Sequence, residues 1–181
     1  MGALSWLRTR DGQFRLSWRA AAATAASPAD IQALAPLQMF VPQQLWPMDP
    51  HVAQDDTGRF HMVLDDRMRG VTYASSTDGR KWSEPLVLIE KNQNGASMEA
   101  PHLVIEGRRF ALIYQLASDT FLRHGSLIDP KALSAPIQIG GAATPTTATR
   151  WARAGDDLVG FAGGVTPWCL RAKVTDLFDR R

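Results

Sequence analysis

The sequence predicts an all-β fold built from a repeated antiparallel unit. One pattern recurs four times: a short alternating strand, a turn rich in glycine and aspartate, and a second alternating strand that opens at a large apolar residue. These opening residues, used here as anchors, are Phe14, Phe60, Phe110 and Leu158. The anchors lie 46, 50 and 48 residues apart. A period of this size is typical of folds that repeat one supersecondary unit along the chain.

Each anchor has a predicted strand on both sides of its turn. The strands before the anchors are predicted over 5–7, 52–54, 103–105 and 149–151. The strands that start at the anchors are predicted over 14–18, 60–64, 110–114 and 158–161. Alternation of apolar and polar side chains indicates strands because successive side chains of a strand point to opposite faces. Each of the four turns between these strands contains a glycine, which suits a tight reversal of the chain. In chain order these are Gly12, Gly58, Gly107 and Gly155, the last followed by Asp156.

The two middle units carry two further strands each. These are predicted over 70–74 and 86–89 in the second unit, and over 120–124 and 137–139 in the third. Between the first two lies Ser76-Thr77-Asp78-Gly79, a predicted turn on which Trp82 packs. Four strands repeated at a period near fifty describe a propeller blade. We therefore predict an all-β protein, a β-propeller of four-stranded blades with about four blade-like units, forming a single domain over residues 1–181.

Helices have little place in this prediction. Proline is spread through the chain, and only 28–37 and 175–180 look briefly helical.

The lone Cys169 excludes an internal disulfide. Two sites of paired acids, Asp55-Asp56 and Asp65-Asp66, are predicted to be solvated turn charges.

Composition narrows the function classes. The 181 residues carry 20 basic and 18 acidic side chains in no block, for a net charge of +2. The pI near 9.0 therefore gives little support for nucleic-acid binding. No apolar stretch is long enough to span a bilayer, and residues 1–26 make a poor signal peptide. We expect no nucleic-acid or membrane partner and a cytoplasmic location, with export only if a signal precedes this start.

Two segments of the chain repeat each other. Met48-Asp49-Pro50-His51-Val52 is matched by Met98-Glu99-Ala100-Pro101-His102-Leu103, and each is followed by a turn and a strand that opens at phenylalanine. We expect Asp49 and Glu99 to occupy the same place in successive units and to direct two carboxylates at one location. Paired carboxyl groups cleave many glycosidic bonds. The alternative for Asp49 is a purely structural role, as a turn residue that caps the start of a strand.

These segments carry a resemblance to a known group. Asp49-Pro50, the turn at 76–79 with Trp82, and Glu99-Ala100-Pro101 occur in an order and spacing that resembles the five-bladed β-propeller glycoside hydrolases: arabinofuranosidases, xylosidases, invertases and levanases. The resemblance is good over 46–114 and rests on the period alone elsewhere. It implies that Glu99 is the proton donor and that Asp49 tunes that acid or stabilises the charged transition state.

The residue types suit this chemistry. Cleavage of an acetal needs a proton for the leaving oxygen, and burial or a nearby like charge keeps one carboxyl protonated near neutral pH. An ionised Asp49 would stabilise the positive sugar ring. Trp46 is a candidate stacking platform for an oligosaccharide. His51 and His102 either line the pocket, ligate a metal, or are hydrogen-bonded strand residues, the last being favoured. We expect neither a cofactor nor a resident metal.

The chain also departs from the family pattern. The resemblance implies a third carboxylate from the first blade, but the position eleven residues before the first anchor is Ala3. Four units also leave the fifth blade absent, which we interpret as a truncated product, a fragment or a degenerate relative. Two alternatives to a glycoside hydrolase therefore stay open: a catalytically impaired propeller that binds carbohydrate, and a scaffold that contacts a protein partner.

Overall fold

The structure, a computed structural model, describes residues 4–12, 14–18, 21–25, 35–36, 38–39, 47–91, 98–140, 147–163 and 168–179. Four antiparallel sheets follow one another along the chain within these ranges, and we call them blades one to four. Blades one, two and three have four strands each, and blade four has three described strands. This arrangement confirms the all-β prediction and its blade-like units.

The first two blades occupy the N-terminal half. Blade one contains β1 (Leu4–Arg8), β2 (Phe14–Trp18), β3 (Ala21–Ala25) and β4 (Ala35–Pro36). A short strand, β5 (Gln38–Met39), pairs in parallel with β9 (Lys81–Trp82). Blade two contains β6 (Pro47–Gln54), β7 (Phe60–Asp66), β8 (Gly70–Ser76) and β10 (Leu86–Glu90).

The last two blades follow the same plan. Blade three contains β11 (Met98–Glu106), β12 (Arg109–Leu116), β13 (Asp119–Ser126) and β14 (Ile137–Gly140). Blade four contains β15 (Thr147–Ala154), β16 (Asp157–Gly163) and β17 (Trp168–Lys173). The helix α1 (Val174–Asp179) ends the described chain, as predicted for 175–180. Of the other predicted helix, 28–34 and Leu37 lie outside the described residues, and Ala35–Pro36 is strand instead.

The first strand of each blade packs against the first strand of the next. β6 lies against β1 on one side and against β11 on the other, and β11 also packs against β7 and β15. In a propeller the blades surround a common centre. Residues at the start of β6 and β11 are therefore brought close together although about fifty positions separate them.

Blade two is buried on both faces. Its β7 is buried at every position from Phe60 to Asp66. One face supplies Val63 to an apolar cluster shared with blade three, whose members are Val63, Val71, Tyr73, Met98, Leu103, Phe110, Leu112 and Tyr114. The other face supplies Met62 and Leu64 to a cluster that includes Trp82 and packs on Leu7 of blade one. Burial of apolar surface contributes about 25 cal/mol per Å², so these two clusters stabilise the contacts between neighbouring blades.

The turn between β6 and β7 is organised by a buried carboxylate. Asp55 Oδ1 accepts hydrogen bonds from the backbone N–H groups of Thr57 (2.8 Å) and Arg59 (3.0 Å), and Oδ2 lies 3.0 Å from His61 Nε2. Burial alone would raise the pKa of Asp55, but these bonds outweigh it and lower the pKa to about 2. The prediction of a solvated charge is therefore wrong for Asp55 and confirmed for the exposed Asp56.

A second turn follows β8. Ser76 Oγ accepts the N–H of Gly79 at 2.8 Å, and Asp78 Oδ1 accepts the N–H groups of Arg80 and Lys81, each at 2.8 Å. Side chains of this kind satisfy turn amides that have no ladder partner. Trp82, at the end of the turn, is buried against blade two.

In the described part of the chain, no helix has the length and apolar character that a membrane span requires.

Two glycines provide a matched test of this backbone. Gly70 has φ +112, and a Cβ there would lie 2.2 Å from the carbonyl oxygen of Ile89. Gly107 has φ +58, and a Cβ there would meet no atom within 4 Å. We expect Gly107→Ala to cost about 1–2 kcal/mol of unfolding free energy and Gly70→Ala at least about 3 kcal/mol. Urea denaturation of both variants measures the difference, and equal losses would contradict this account of β8 and β10.

Candidate functional site

The first strands of blades two and three are both interrupted by a β-bulge. In β6 the register passes from Met48 opposite Asp65 to His51 opposite Val63, so Asp49 and Pro50 together face one residue of β7. Asp49 has φ 47, in the left-handed region. Such a conformation is costly for a residue with a side chain and is concentrated at functional sites. Pro50 fits the bulge because it has no N–H to give to the ladder.

The bulge in β11 corrects the predicted correspondence of the two acids. There the register passes from Glu99 opposite Gln115 to His102 opposite Ile113, and the left-handed residue is Ala100, with φ 51. Asp49 therefore corresponds to Ala100, and Glu99 lies one residue earlier. The expectation that the two acids occupy the same place is therefore wrong by one residue. The reason is a difference between the two turns: Phe60 pairs with Gln54, six residues earlier in the chain, whereas Phe110 pairs with Ile105, five residues earlier.

Asp49 and Glu99 nevertheless act on one common neighbour. Asp65 stands opposite Met48 on β7 and is only 3% exposed. Burial raises the pKa of Asp65 to about 7, and the charges of Asp49 and Glu99 contribute to that rise. Both acids are themselves half-buried. The structure thus brings three carboxyl groups, from β6, β7 and β11, within electrostatic range of one another.

Asp65 and Asp66 were predicted to be solvated turn charges, and this prediction is wrong. Both are buried, Asp66 completely, because β7 runs two residues past its predicted end at Leu64. Asp66 Oδ1 accepts the N–H of Met68 at 3.0 Å, and Arg69 Nε lies 3.7 Å from its Oδ2. A signal was present in the sequence: extending the hairpin register from Gln54 and Phe60 carries Asp65 to the level of the Asp49 segment.

The two histidines connect blade two to blade three. The rings of His51 and His102 lie 3.6 Å apart between centroids, at an angle of 40°. The N–H of Leu103 donates to His51 Nδ1 at 3.1 Å. Burial lowers the pKa of His51 to about 3, so its ring is neutral at physiological pH. His51 is therefore a hydrogen-bonded strand residue that couples two blades, as the favoured alternative stated, and its contact with substrate stays a prediction.

Other predicted features of the site fall in different places. Trp46 lies outside the described residues, so its stacking role stays a prediction. The described β1 of blade one, with the sequence Leu-Ser-Trp-Leu-Arg, carries no carboxylate. Across the ranges that the structure describes, no three histidine, cysteine or acidic side chains are grouped so that they could hold a metal ion.

Known structures share this architecture. No model of a known protein family matches the sequence, and no curated protein sequence matches it. An α-L-arabinofuranosidase from Podospora anserina, solved with cellotriose, superposes with a TM-score of 0.70 at 15% identity, over 94% of this chain and 62% of that one. A GH62 hydrolase solved with xylotriose gives 0.71 at 12% identity, over 94% and 64%. A GH43 endo-arabinanase from Bacillus licheniformis gives 0.60 at 13% identity, over 94% and 72%.

The chain spans about three fifths of the length of the arabinofuranosidases that it matches. At these identities the likeness establishes the fold. The described sheets are therefore blades of a β-propeller of the kind found in the GH43 and GH62 glycoside hydrolases.

The link between His51 and Leu103 predicts a pH dependence of stability. The pKa of His51 is lower in the folded than in the unfolded chain, so its contribution is complete above pH 6.5 and decreases as the pH falls below that value. His51→Asn keeps an acceptor for the Leu103 amide but does not titrate. Because His51 retains some exposure, we expect wild type to lose only about 1 kcal/mol more than this variant between pH 6.5 and 5. Denaturant titrations at both pH values measure this, and parallel losses would contradict a buried neutral His51.

Proposed function

We propose that this propeller hydrolyses glycosidic bonds in oligosaccharides, with Glu99 as the acid and Asp49 as its electrostatic partner. The observation that carries the proposal is the convergence of both acids on Asp65, from the bulged starts of the first strands of adjacent blades. The similarity in fold to glycoside hydrolases supports the same class of reaction.

Glu99 is the better proton donor of the pair. It is half-buried beside Met98 and Ala100, both of which are buried, and other acids stand nearby. In the proposed step Glu99 gives its proton to the glycosidic oxygen as the bond from that oxygen to the anomeric carbon breaks. Water then adds to the anomeric carbon and loses a proton to a base.

Asp49 would act through its charge. Its left-handed backbone and the adjacent Pro50 hold the carboxylate at the bulge rather than in the regular pleat. A fixed carboxylate close to the sugar ring stabilises the positive charge that develops as the bond breaks. Two of the similar structures were solved with cellotriose and xylotriose. We propose a short oligosaccharide as the ligand here, with Trp46 as a stacking face and with His51 and His102 beside the acids.

A second candidate function is carbohydrate binding without cleavage. Hydrolysis needs a base to take a proton from the attacking water. The observation that favours binding alone is that the described residues of β1 provide no carboxylate for that task. A propeller with the acid and its partner but no base would retain a sugar and release it unchanged.

Aryl glycosides test the acid assignment. Glu99→Gln removes the proton donor at nearly constant volume, so kcat on 4-nitrophenyl α-L-arabinofuranoside or β-D-xyloside should fall by about 100-fold or more. The loss should be smaller with a dinitrophenyl leaving group, which departs without protonation. Asp49→Asn should lower kcat for both leaving groups, because its charge acts on the sugar ring.

Glu106→Gln provides the matched control. Glu106 ends the same strand, is partly exposed and pairs with Arg109 at 3.5 Å, far along β11 from Glu99. This variant should retain wild-type kcat and melting temperature. A Glu99→Gln enzyme as active as wild type would overturn the acid assignment.

Calorimetry separates the two candidate functions. Titration of wild type with xylotriose or cellotriose, followed by chromatography of the recovered sugar, shows binding and cleavage independently. Binding with intact sugar recovered after long incubation, together with inactivity on every aryl glycoside, would favour the binding protein. Absence of both would exclude both candidates.

A further inference from the structure

We propose that the imidazole ring of His51 is a hydrogen-bond donor to the bound sugar, and that its Nε2–H is directed at an oxygen of the ligand beside Asp49 and Glu99. This inference rests on the proposed function and deepens it, because it assigns one atom and the direction of its hydrogen bond. His51 would bind the sugar and would take no part in proton transfer.

The ring of His51 lies at the free edge of β11. The sheet order places β11 at one edge of blade three. An edge strand presents backbone N–H and C=O groups that have no partner within their own sheet. Side chains from the blades on either side satisfy two of these groups. His51 of blade two accepts the N–H of Leu103 at 3.1 Å, and Arg153 of blade four donates to the carbonyl oxygen of Ile105 at 3.0 Å. His51 is therefore placed where adjacent blades meet.

The hydrogen bond from Leu103 fixes the tautomer of His51. A backbone N–H can only donate, so Nδ1 of the ring accepts through its lone pair. In a neutral imidazole one nitrogen accepts and the other carries the hydrogen, so Nε2 carries it here. This is the one hydrogen bond that the described residues make with the ring, which is half-buried and retains contact with solvent. The Nε2–H is therefore available to a ligand.

The ring is also held in place before any ligand arrives. His102 lies against it, with the ring centroids 3.6 Å apart, and is itself only 6% exposed. Asp49 is two residues before His51 on β6, and Glu99 is three residues before His102 on β11. A donor that is already fixed loses little conformational entropy when it binds. The structure thus offers a rigid donor close in the chain to both acids.

A sugar hydroxyl matches this set of groups. An ionised carboxylate only accepts hydrogen bonds, whereas the Nε2–H of His51 only donates. A hydroxyl can do both, so it can donate to a carboxylate while its oxygen accepts from His51. A ligand without an acceptor at this place would take the donor out of water without a partner, which costs binding energy. His51 would therefore contribute to selection of hydroxyl-bearing ligands.

Two substitutions at position 51 separate binding from folding. In His51→Asn the shorter amide reaches the place of Nδ1, so it keeps an acceptor for Leu103 but has no donor at the place of Nε2. The Kd for xylotriose should rise by about 5-fold. In His51→Gln the longer amide places an N–H near the position of Nε2 and leaves the Leu103 N–H without its acceptor. This variant should bind within about 2-fold of wild type but melt about 3 °C below His51→Asn.

Calorimetry with xylotriose and thermal unfolding of the full chain measure these two orders. If wild type cleaves xylotriose, all proteins are compared in a Glu99→Gln background, so that the sugar is not consumed. A histidine with a purely structural role would give the same order in both measurements, because affinity would then follow stability. That result would overturn the proposal.

Nitrogen NMR of the histidine rings tests the tautomer without any ligand. His51 should carry its proton on Nε2 at neutral pH, and a proton on Nδ1 would overturn the proposal. His124→Asn is the matched control, since His124 lies on β13 and its Nε2 hydrogen-bonds the carbonyl oxygen of Leu177 in α1. This variant should keep the wild-type Kd. A loss of affinity equal to that of His51→Asn would contradict a specific role for His51.

The role of His51 and the proposed hydrolysis can fail separately. If xylotriose binds with the expected order of affinities and no glycoside is cleaved, the hydrolase is wrong and the role of His51 stands. If aryl glycosides are cleaved and His51→Asn leaves the Kd for xylotriose unchanged, the hydrolase stands and the role of His51 falls. If the protein binds neither xylotriose nor cellotriose, the role of His51 is overturned whatever the activity.

Discussion

The contact between β6 and β11 is the constraint on which the candidate site depends. These first strands of adjacent blades are separated by about fifty residues in the chain, and only tertiary packing brings their N-terminal ends together. The apolar cluster shared by blades two and three, which includes Val63, Leu103 and Phe110, provides the driving force for this packing. The hydrogen bond from the Leu103 N–H to His51 Nδ1 also fixes the position of β11 relative to β6, close to Asp49 and Glu99.

That packing has to offset two local costs. Asp49 and Ala100 adopt left-handed backbone conformations, each of which costs of order 1–3 kcal/mol and persists only where the surroundings impose it. Asp65 is also buried close to the charges of Asp49 and Glu99, and this environment favours its uncharged form. Both costs occur at one end of the blades, at the starts of β6 and β11 and at the end of β7, which pairs with the start of β6. The far end of the same hairpin, by contrast, is stabilised by the satisfied carboxylate of Asp55.

Much of the fold was predictable because its signals are local. Side-chain alternation located the strands at 60–64, 110–114 and 120–124 within the bounds that the structure shows. The repeat period predicted the blades, since each blade is one copy of the same antiparallel unit. The errors came from register. A difference of one residue in the turn before Phe110 changed the correspondence of Asp49 and Glu99, and two extra residues of β7 buried Asp65.

The sequence by itself determined the strands, their repetition and the presence of an acid one or two residues before a proline in two successive units, because these depend on neighbouring residues and their periodicity. Only the tertiary structure decided which carboxyl groups meet. Bulges, strand ends and the packing of β11 on β6 and β7 are set by contacts between residues far apart in the chain. The environment that raises the pKa of Asp65 is therefore absent from any one segment and exists only where three strands converge.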